Sequence, residues 1–287
     1  MKLGISSYSL SKAIQAGEMT IVDVVQWVAD NGGEHLEICP IGFTLDDNPH
    51  LLEAIRRKVQ ETGIDISNYT IAANFIQPGE AGVAAEVARV KRQVDIAAAL
   101  GVKRMRHDVA TRPIGEATIT NFIADLPIVA SACRQVADYA APLGITTSVE
   151  NHGYYVQASD RVQALVQAVD RPNYRTTLDV GNFLSVDEDP VAAVKRNTAI
   201  ASMVHVKDFY VRPADRNPGD GWMTTASGNY LRGAVVGHGD IDMREVLRAI
   251  KRAGYDGYIS VEFEGLESCT YGTRTGLDNV RRIWQEV

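Results

Sequence analysis

The chain has 287 residues, 45% of them hydrophobic, with 29 basic against 36 acidic side chains and a formal charge of −7. This length and apolar content suit residues 1–287 as a single catalytic domain, since α/β barrels run to roughly 250 residues. The acidic balance offers no overall field for a phosphate backbone, and no stretch approaches the ~18 apolar residues of a membrane span, so neither nucleic acid nor membrane is an expected partner.

The first β-type run, Lys2 to Ser6, begins directly after the initial methionine, without a signal-peptide apolar region. Seven more follow: Glu34 to Cys39, Asp65 to Ile71, Lys103 to Val109, Ile145 to Glu150, Tyr174 to Asp179, Ser202 to Lys207 and Tyr258 to Glu262. Segments of helical period lie between them, among them IVDVVQWVADN, HLLEAIRRKVQET, VAAEVARVKRQVDIAAAL and FIADLPIVASACRQVADYAAPL. Gly32 and Gly33, Gly63, Gly101, Gly144 and Gly254 each separate such a segment from the next strand, where a helix C-cap is wanted. Eight alternations of this kind predict parallel strands joined by crossover helices. No GxGxxG or GxxxxGK[ST] loop follows any strand, so the closed (β/α)8 TIM barrel is expected over an open doubly wound sheet.

One segment breaks the repeat. Residues 208–240, rich in Gly, Pro and Asn, extend the connection after strand seven and show no sustained period. They predict a long loop over the C-terminal mouth of the barrel. Within it, Trp222 and Tyr230 suit an apolar wall for a sugar, or an anchor on the barrel or on a second subunit of a dimer or tetramer. Arg216 is a candidate for binding a substrate hydroxyl or phosphate. Cys39, Cys133 and Cys269 are odd in number and widely spaced. They are expected to be reduced thiols packed as small hydrophobes in a cytoplasmic protein.

Glu150, Asp179, His205 and Glu262 each stand at the C-terminal end of a β-type run, in ITTSVE, RTTLD, SMVH and YISVE. Carboxylate and imidazole are ligands for a divalent cation, and a cation offsets the desolvation of acids set among apolar strand residues. The C-terminal face is also where such barrels keep their chemistry. Strand alternation supports the grouping. Ser148 and Glu150 share a face, as do Thr177 and Asp179, Met203, His205 and Lys207, and Ser260, Glu262 and Glu264.

Further candidates flank this set. His152 shares the parity of Glu150 and is expected to reach substrate or orient that glutamate. Lys207 is placed to offset an oxyanion or to pair with Glu262 or Asp208. His107, ending strand four, is expected to contact substrate or to be a hydrogen-bonded structural histidine. Glu37 on strand two lines the barrel as a supporting group.

The strings SVENHG, LDVGN, HVKDF, GHGDID and GYDGYISVEFEG resemble the sugar isomerase and epimerase family of xylose isomerase-like TIM barrels. That family also contains ketose 3-epimerases, hydroxypyruvate isomerases, inosose dehydratases and the endonuclease IV type of repair enzyme. The resemblance implies that Glu150, Asp179, His205 and Glu262 bind one divalent cation, Mn²⁺ foremost, with Mg²⁺, Co²⁺ or Zn²⁺ as alternatives. It also implies that Glu150 and Glu262 act as acid and base on opposite faces of the substrate. Repair nucleases of this group hold three zinc ions with extra histidines, where this chain has Asn182, and Asp215, Arg216 and Asn217. In the sugar enzymes the position of Asn182, here a candidate substrate contact, is often histidine, and that of His238 is often glutamate.

The implied function is a metal-dependent isomerase or epimerase of a small sugar or polyol ketone. A chelated ketone loses the proton beside its carbonyl, and the cation stabilises the enediolate. The alternative is a lyase that dehydrates an inosose-like or keto-sugar substrate, and a third is a non-catalytic sugar-binding barrel.

Overall fold

The computed structural model describes residues 1–287 and contains a closed eight-stranded parallel barrel. Its strands are β1 (Lys2–Ser6), β2 (His35–Ile38), β3 (Asp65–Ile71), β4 (Arg104–His107), β5 (Thr146–Glu150), β6 (Tyr174–Asp179), β7 (Ala201–Val206) and β11 (Tyr258–Val261). They follow one another around the barrel in chain order, and β11 closes it by pairing with both β7 and β1. The eight runs read from periodicity are therefore all present, with ends shifted by at most two residues.

After a short α1 (Ser11–Gln15), helices α2 (Ile21–Asp30), α3 (Pro49–Thr62), α4 (Gly79–Leu100) and α5 (Ile119–Ala140) cover one side of the barrel, and α6 (Ser159–Val169), α7 (Pro190–Asn197), α8 (Met243–Arg252) and α9 (Cys269–Glu286) the other. The start of α2 illustrates local specification. Thr20 accepts the Asp23 N–H while the Asp23 carboxylate accepts the Thr20 N–H, a reciprocal capping box. Val24, Val25 and Val28 then recur on one buried face. Gly63 and Gly101 end α3 and α4 at φ +74° and +82°, where a side chain would be strained.

The outward strand residues, such as Val149, Leu178, Val204 and Ile259, are completely or almost completely buried under these helices. Each contributes about 1.5–3 kcal/mol by leaving water, and truncating Ile259 to alanine would cost about 2–5 kcal/mol. Cys133 is fully buried, while Cys39 and Cys269 are only partly so, and all three are free thiols. No helix is long and apolar enough to cross a membrane.

The connection after β7 is not the structureless loop its composition predicts. Strands β8 (Asp208–Arg212), β9 (Met223–Thr224) and β10 (Tyr230–Ala234) form an antiparallel sheet in the order β8-β10-β9. The pairing escaped a periodicity reading because β9 is two residues long and Gly- and Pro-rich turns separate the partners. Asp208 ties the base of this insert together. Its Oδ2 accepts the N–H groups of Gly237 and Gly239, both at 2.9 Å, and its Oδ1 accepts that of Phe209 at 2.9 Å. Gly239 is required there, because a Cβ would stand 2.2 Å from Asp208 Oδ1. Trp222 is held within the insert, with the Arg212 and Arg232 guanidiniums 5.7 and 5.4 Å from its ring centre.

Candidate metal centre and active-site cavity

Glu150 and Asp179 end β5 and β6, His205 lies one residue from the end of β7, and Glu262 directly follows β11. The parallel register sets Asp179 against His205, and His205 against Ser260, two residues before Glu262. All four side chains are buried, and one potential ligand atom from each lies within 4.8 Å of the others. That spacing is within small side-chain shifts of what one shared divalent cation would need.

Two orphaned atoms test whether a cation fits. Asp179 Oδ2 and His205 Nδ1 are buried without a hydrogen-bond partner. The other oxygen of Asp179 accepts the N–H groups of Gly181 and Asn182, each at 2.8 Å. On His205, Nε2 donates to Glu37 Oε2 at 2.9 Å, and Glu37 in turn accepts from Asn68 Nδ2 at 3.0 Å. With Nε2 engaged by Glu37, Nδ1 is the nitrogen turned to the cluster, where a cation would take the place of a proton, the arrangement of a supported metal-binding histidine. The donor set therefore fits a divalent cation, and Glu37 fills the supporting place read from its strand position.

The electrostatics agree. Burial raises the Asp179 carboxyl to about 6, only partly offset by Lys207. Burial also opposes charge on His205, but Glu37, Glu262 and Glu150 outweigh it and push the imidazole well above its ordinary value. A field that draws a proton onto His205 would equally draw a cation. Glu150 lies well below the usual carboxylate range because Arg106 and His205 overcome its desolvation.

Arg106 was missed in the sequence. It is buried, with Nε 2.7 Å from Glu150 Oε2 and Nη2 2.7 Å from Asp108 Oδ1. The contact with Glu150 is ionic rather than an aligned hydrogen bond. Its signal was strand alternation, which puts Arg106 and Asp108 on one face of β4, and in the structure Arg106 pairs in register with Ser148, the inward neighbour of Glu150. By the same parity His107 points the other way. It is fully buried outside the barrel interior, edge-on to Phe75 with ring centres 5.7 Å apart, and its Nδ1 donates to the Asp108 carbonyl at 2.9 Å. The structure therefore does not bring His107 to the site.

A cavity of about 650 Å³ opens above the cluster, and Glu150, Glu262, His152, Asn182 and Lys207 all line it. Asn182 donates to Glu150 Oε1 at 3.1 Å and accepts from Lys207 at 3.4 Å. Lys207 is buried, with Nζ 3.1 Å from Glu262 Oε2 and 3.5 Å from both Asp179 Oδ2 and Glu264 Oε2. It pairs with Glu262 and not with Asp208, whose oxygens are taken by backbone donors. His152 is half-exposed, its Nδ1 3.3 Å from Asp108 Oδ1. From the insert Met223 reaches the cavity, but Arg216 is exposed and does not line it. The sheet explains this, since Arg216 sits in the turn between β8 and β9, beyond the strands that cover the mouth.

An inosose dehydratase of Lacticaseibacillus casei is 28% identical over 136 residues, 47% of this chain and 46% of that protein. The chain thus spans about half the length of that curated relative, and a second likeness runs further. A 3-oxo-isoapionate decarboxylase of Pectobacterium atrosepticum is 22% identical over 259 residues, covering 88% of this chain and 81% of the relative. Among solved structures, a probable 3-DHS dehydratase from Bacillus anthracis superposes with a TM-score of 0.76 at 15% identity, over 98% of this chain and 99% of that one. At that identity the likeness speaks for the fold. The model describing the xylose isomerase-like TIM barrel matches residues 25–283, nearly the whole of the closed barrel, and the chain belongs to that family.

Proposed function

We propose that the protein is a divalent-cation-dependent isomerase or epimerase of a small sugar or polyol ketone, acting at the carbon beside the carbonyl. The observation that carries this reading is the pairing of Glu150 and Glu262. Both belong to one cluster of ligand atoms within 4.8 Å of each other, and both open onto the same cavity. A cation bound by Glu150, Asp179, His205 and Glu262 supplies Lewis-acid stabilisation of the charge that develops on the ketone oxygen.

The chain's own side chains do the rest. Glu262 removes the proton from one face, and Lys207, 3.1 Å from its Oε2, is a cation placed to offset the negative charge that develops on the substrate. On the other face Asn182 orients Glu150 and Arg106 keeps it ionised. Arginine does not give up its proton, and against its burial the acids around Lys207 hold its ammonium well above the ordinary lysine range, so Arg106 and Lys207 support the two glutamates without replacing them.

Dehydration is the second reading, and His152 favours it. Its ring lines the cavity and its Nδ1 is 3.3 Å from Asp108 Oδ1, so it is placed to hand a proton to a leaving β-hydroxyl. The inosose dehydratase relatives support the same outcome. Incubation with ketoses and cyclic polyol ketones in deuterated buffer, with and without chelator, separates the two. Deuterium uptake without loss of water indicates isomerisation or epimerisation, and loss of water indicates the lyase. Neither response, with the cation present, would overturn both.

A further inference from the structure

We propose that the opposite, N-terminal end of the barrel holds an anion site for a phosphate group, free or esterified. A cavity of about 470 Å³ lies there, lined by Lys103, Arg104 and Arg175, with Asp256 as the one acid among its lining residues. Arg104 stands at the entry end of β4, and Thr146, Arg175 and Ala201 at those of β5, β6 and β7, so the cavity lies at the far end of three of the strands that carry the four-residue cluster. Three cations against one acid is a local reversal of sign in a chain whose formal charge is −7.

None of the three makes an ion pair with a carboxylate of the chain, whereas Lys2 at the same end is paired with Asp65. The two guanidiniums are nonetheless fixed. Arg104 donates through Nε to the Ser202 carbonyl at 2.9 Å and lies over the Tyr258 ring at 4.9 Å. Arg175 donates through Nη2 to the Ala199 carbonyl at 2.7 Å. Each is anchored by one nitrogen and keeps its remaining N–H groups free. That is the condition for bidentate recognition of a phosphate at low ordering cost. Lys103 adds a point charge at the rim, its Nζ 3.8 Å from where a Cβ on Gly144 would stand. Fixed forks of this kind select a tetrahedral oxyanion over chloride, and the cavity has room for the organic part of a phosphate ester.

The test is a titration of the full-length protein with inorganic phosphate against chloride at matched ionic strength, read by calorimetry and by thermal shift. Saturable binding is expected. Arg175→Gln should weaken it about tenfold, the loss typical of a charge-assisted hydrogen-bond pair. Lys103→Ala, at an exposed position where folding is not at stake, should weaken it severalfold. Asp179→Asn at the barrel mouth should leave it unchanged, which separates this site from the proposed active site. Glycerol 3-phosphate then distinguishes the sources, since tighter binding than inorganic phosphate assigns an ester and weaker binding the free ion. No saturable response over chloride overturns the proposal. So does equal binding by wild type, Arg175→Gln and Lys103→Ala, or a response abolished by Asp179→Asn.

Discussion

Glu37 Oε2 accepts a hydrogen bond from His205 Nε2 at 2.9 Å, across the barrel interior from β2 to β7. The bond sets the imidazole so that Nδ1 lies 3.6 Å from Glu150 Oε1 and 3.4 Å from Glu262 Oε1. Removing an outer carboxylate of this kind costs about 10–100-fold in metal affinity. Glu37→Ala should therefore weaken cation binding by that factor in competition with a chelator. Glu37→Gln, which keeps an acceptor oxygen, should fall between it and wild type.

Arg106 bridges Glu150 and Asp108 in a buried position, so its removal leaves two carboxylates without their cation. Arg106→Met should cost about 3–5 kcal/mol in urea denaturation, the usual penalty for breaking a buried pair from one side. Arg106→Lys should recover only part of this, because one ammonium cannot reproduce a planar fork that spans both acids. A midpoint equal to wild type in both variants would mean that Arg106 does not hold the site.

His107 gives the fold a pH dependence. Burial, only partly offset by the bond to the Asp108 carbonyl, lowers it from 6.5 to about 4. The unfolded chain takes up a proton below 6.5, while the folded one resists until about pH 4. The contribution to stability is thus full above pH 6.5 and is lost as pH falls toward 4, by up to about 3 kcal/mol. His107→Asn retains a side-chain amide donor and does not titrate, so its stability should change less between pH 7 and 5 than that of wild type. Because His107 does not line the cavity, kcat/KM at pH 7.5 should change less than threefold.

The barrel and the clustering of Glu150, Asp179, His205 and Glu262 were legible in the sequence because each rests on local pattern. Strand runs and helix periods recur eight times, glycines mark five of the helix-to-strand junctions, and parity alone put Glu150, His205 and Glu262 on inward faces. The same rule applied to β4 selects Arg106 and Asp108 over His107. The histidine drew attention by residue type, but it lies one position out of phase. The insert was illegible for another reason: the pairing of β10 with β8 and β9 depends on contacts between distant residues, and β9 is too short to carry a period. Arg216 accordingly falls in an exposed turn.

Gly239 fills the one space that the Asp208 carboxylate leaves at the base of the insert, with a Cβ there 2.2 Å from Asp208 Oδ1. Gly239→Ala should break the fan of N–H bonds to Asp208 and loosen the sheet that brings Met223 to the cavity. KM should rise severalfold, with far-ultraviolet dichroism near native because the barrel does not depend on these bonds. An unchanged KM would show that the insert does not shape the pocket.

The most direct measurement is a calorimetric titration of metal-stripped protein with Mn²⁺, carried out on wild type, Asp179→Asn and His205→Ala. One ion per chain is expected for wild type, with binding lost or weakened at least about tenfold in each variant, since each removes one of the two buried ligand atoms left without a hydrogen bond. Wild-type stoichiometry and affinity in both variants would contradict a metal centre at these four strand ends.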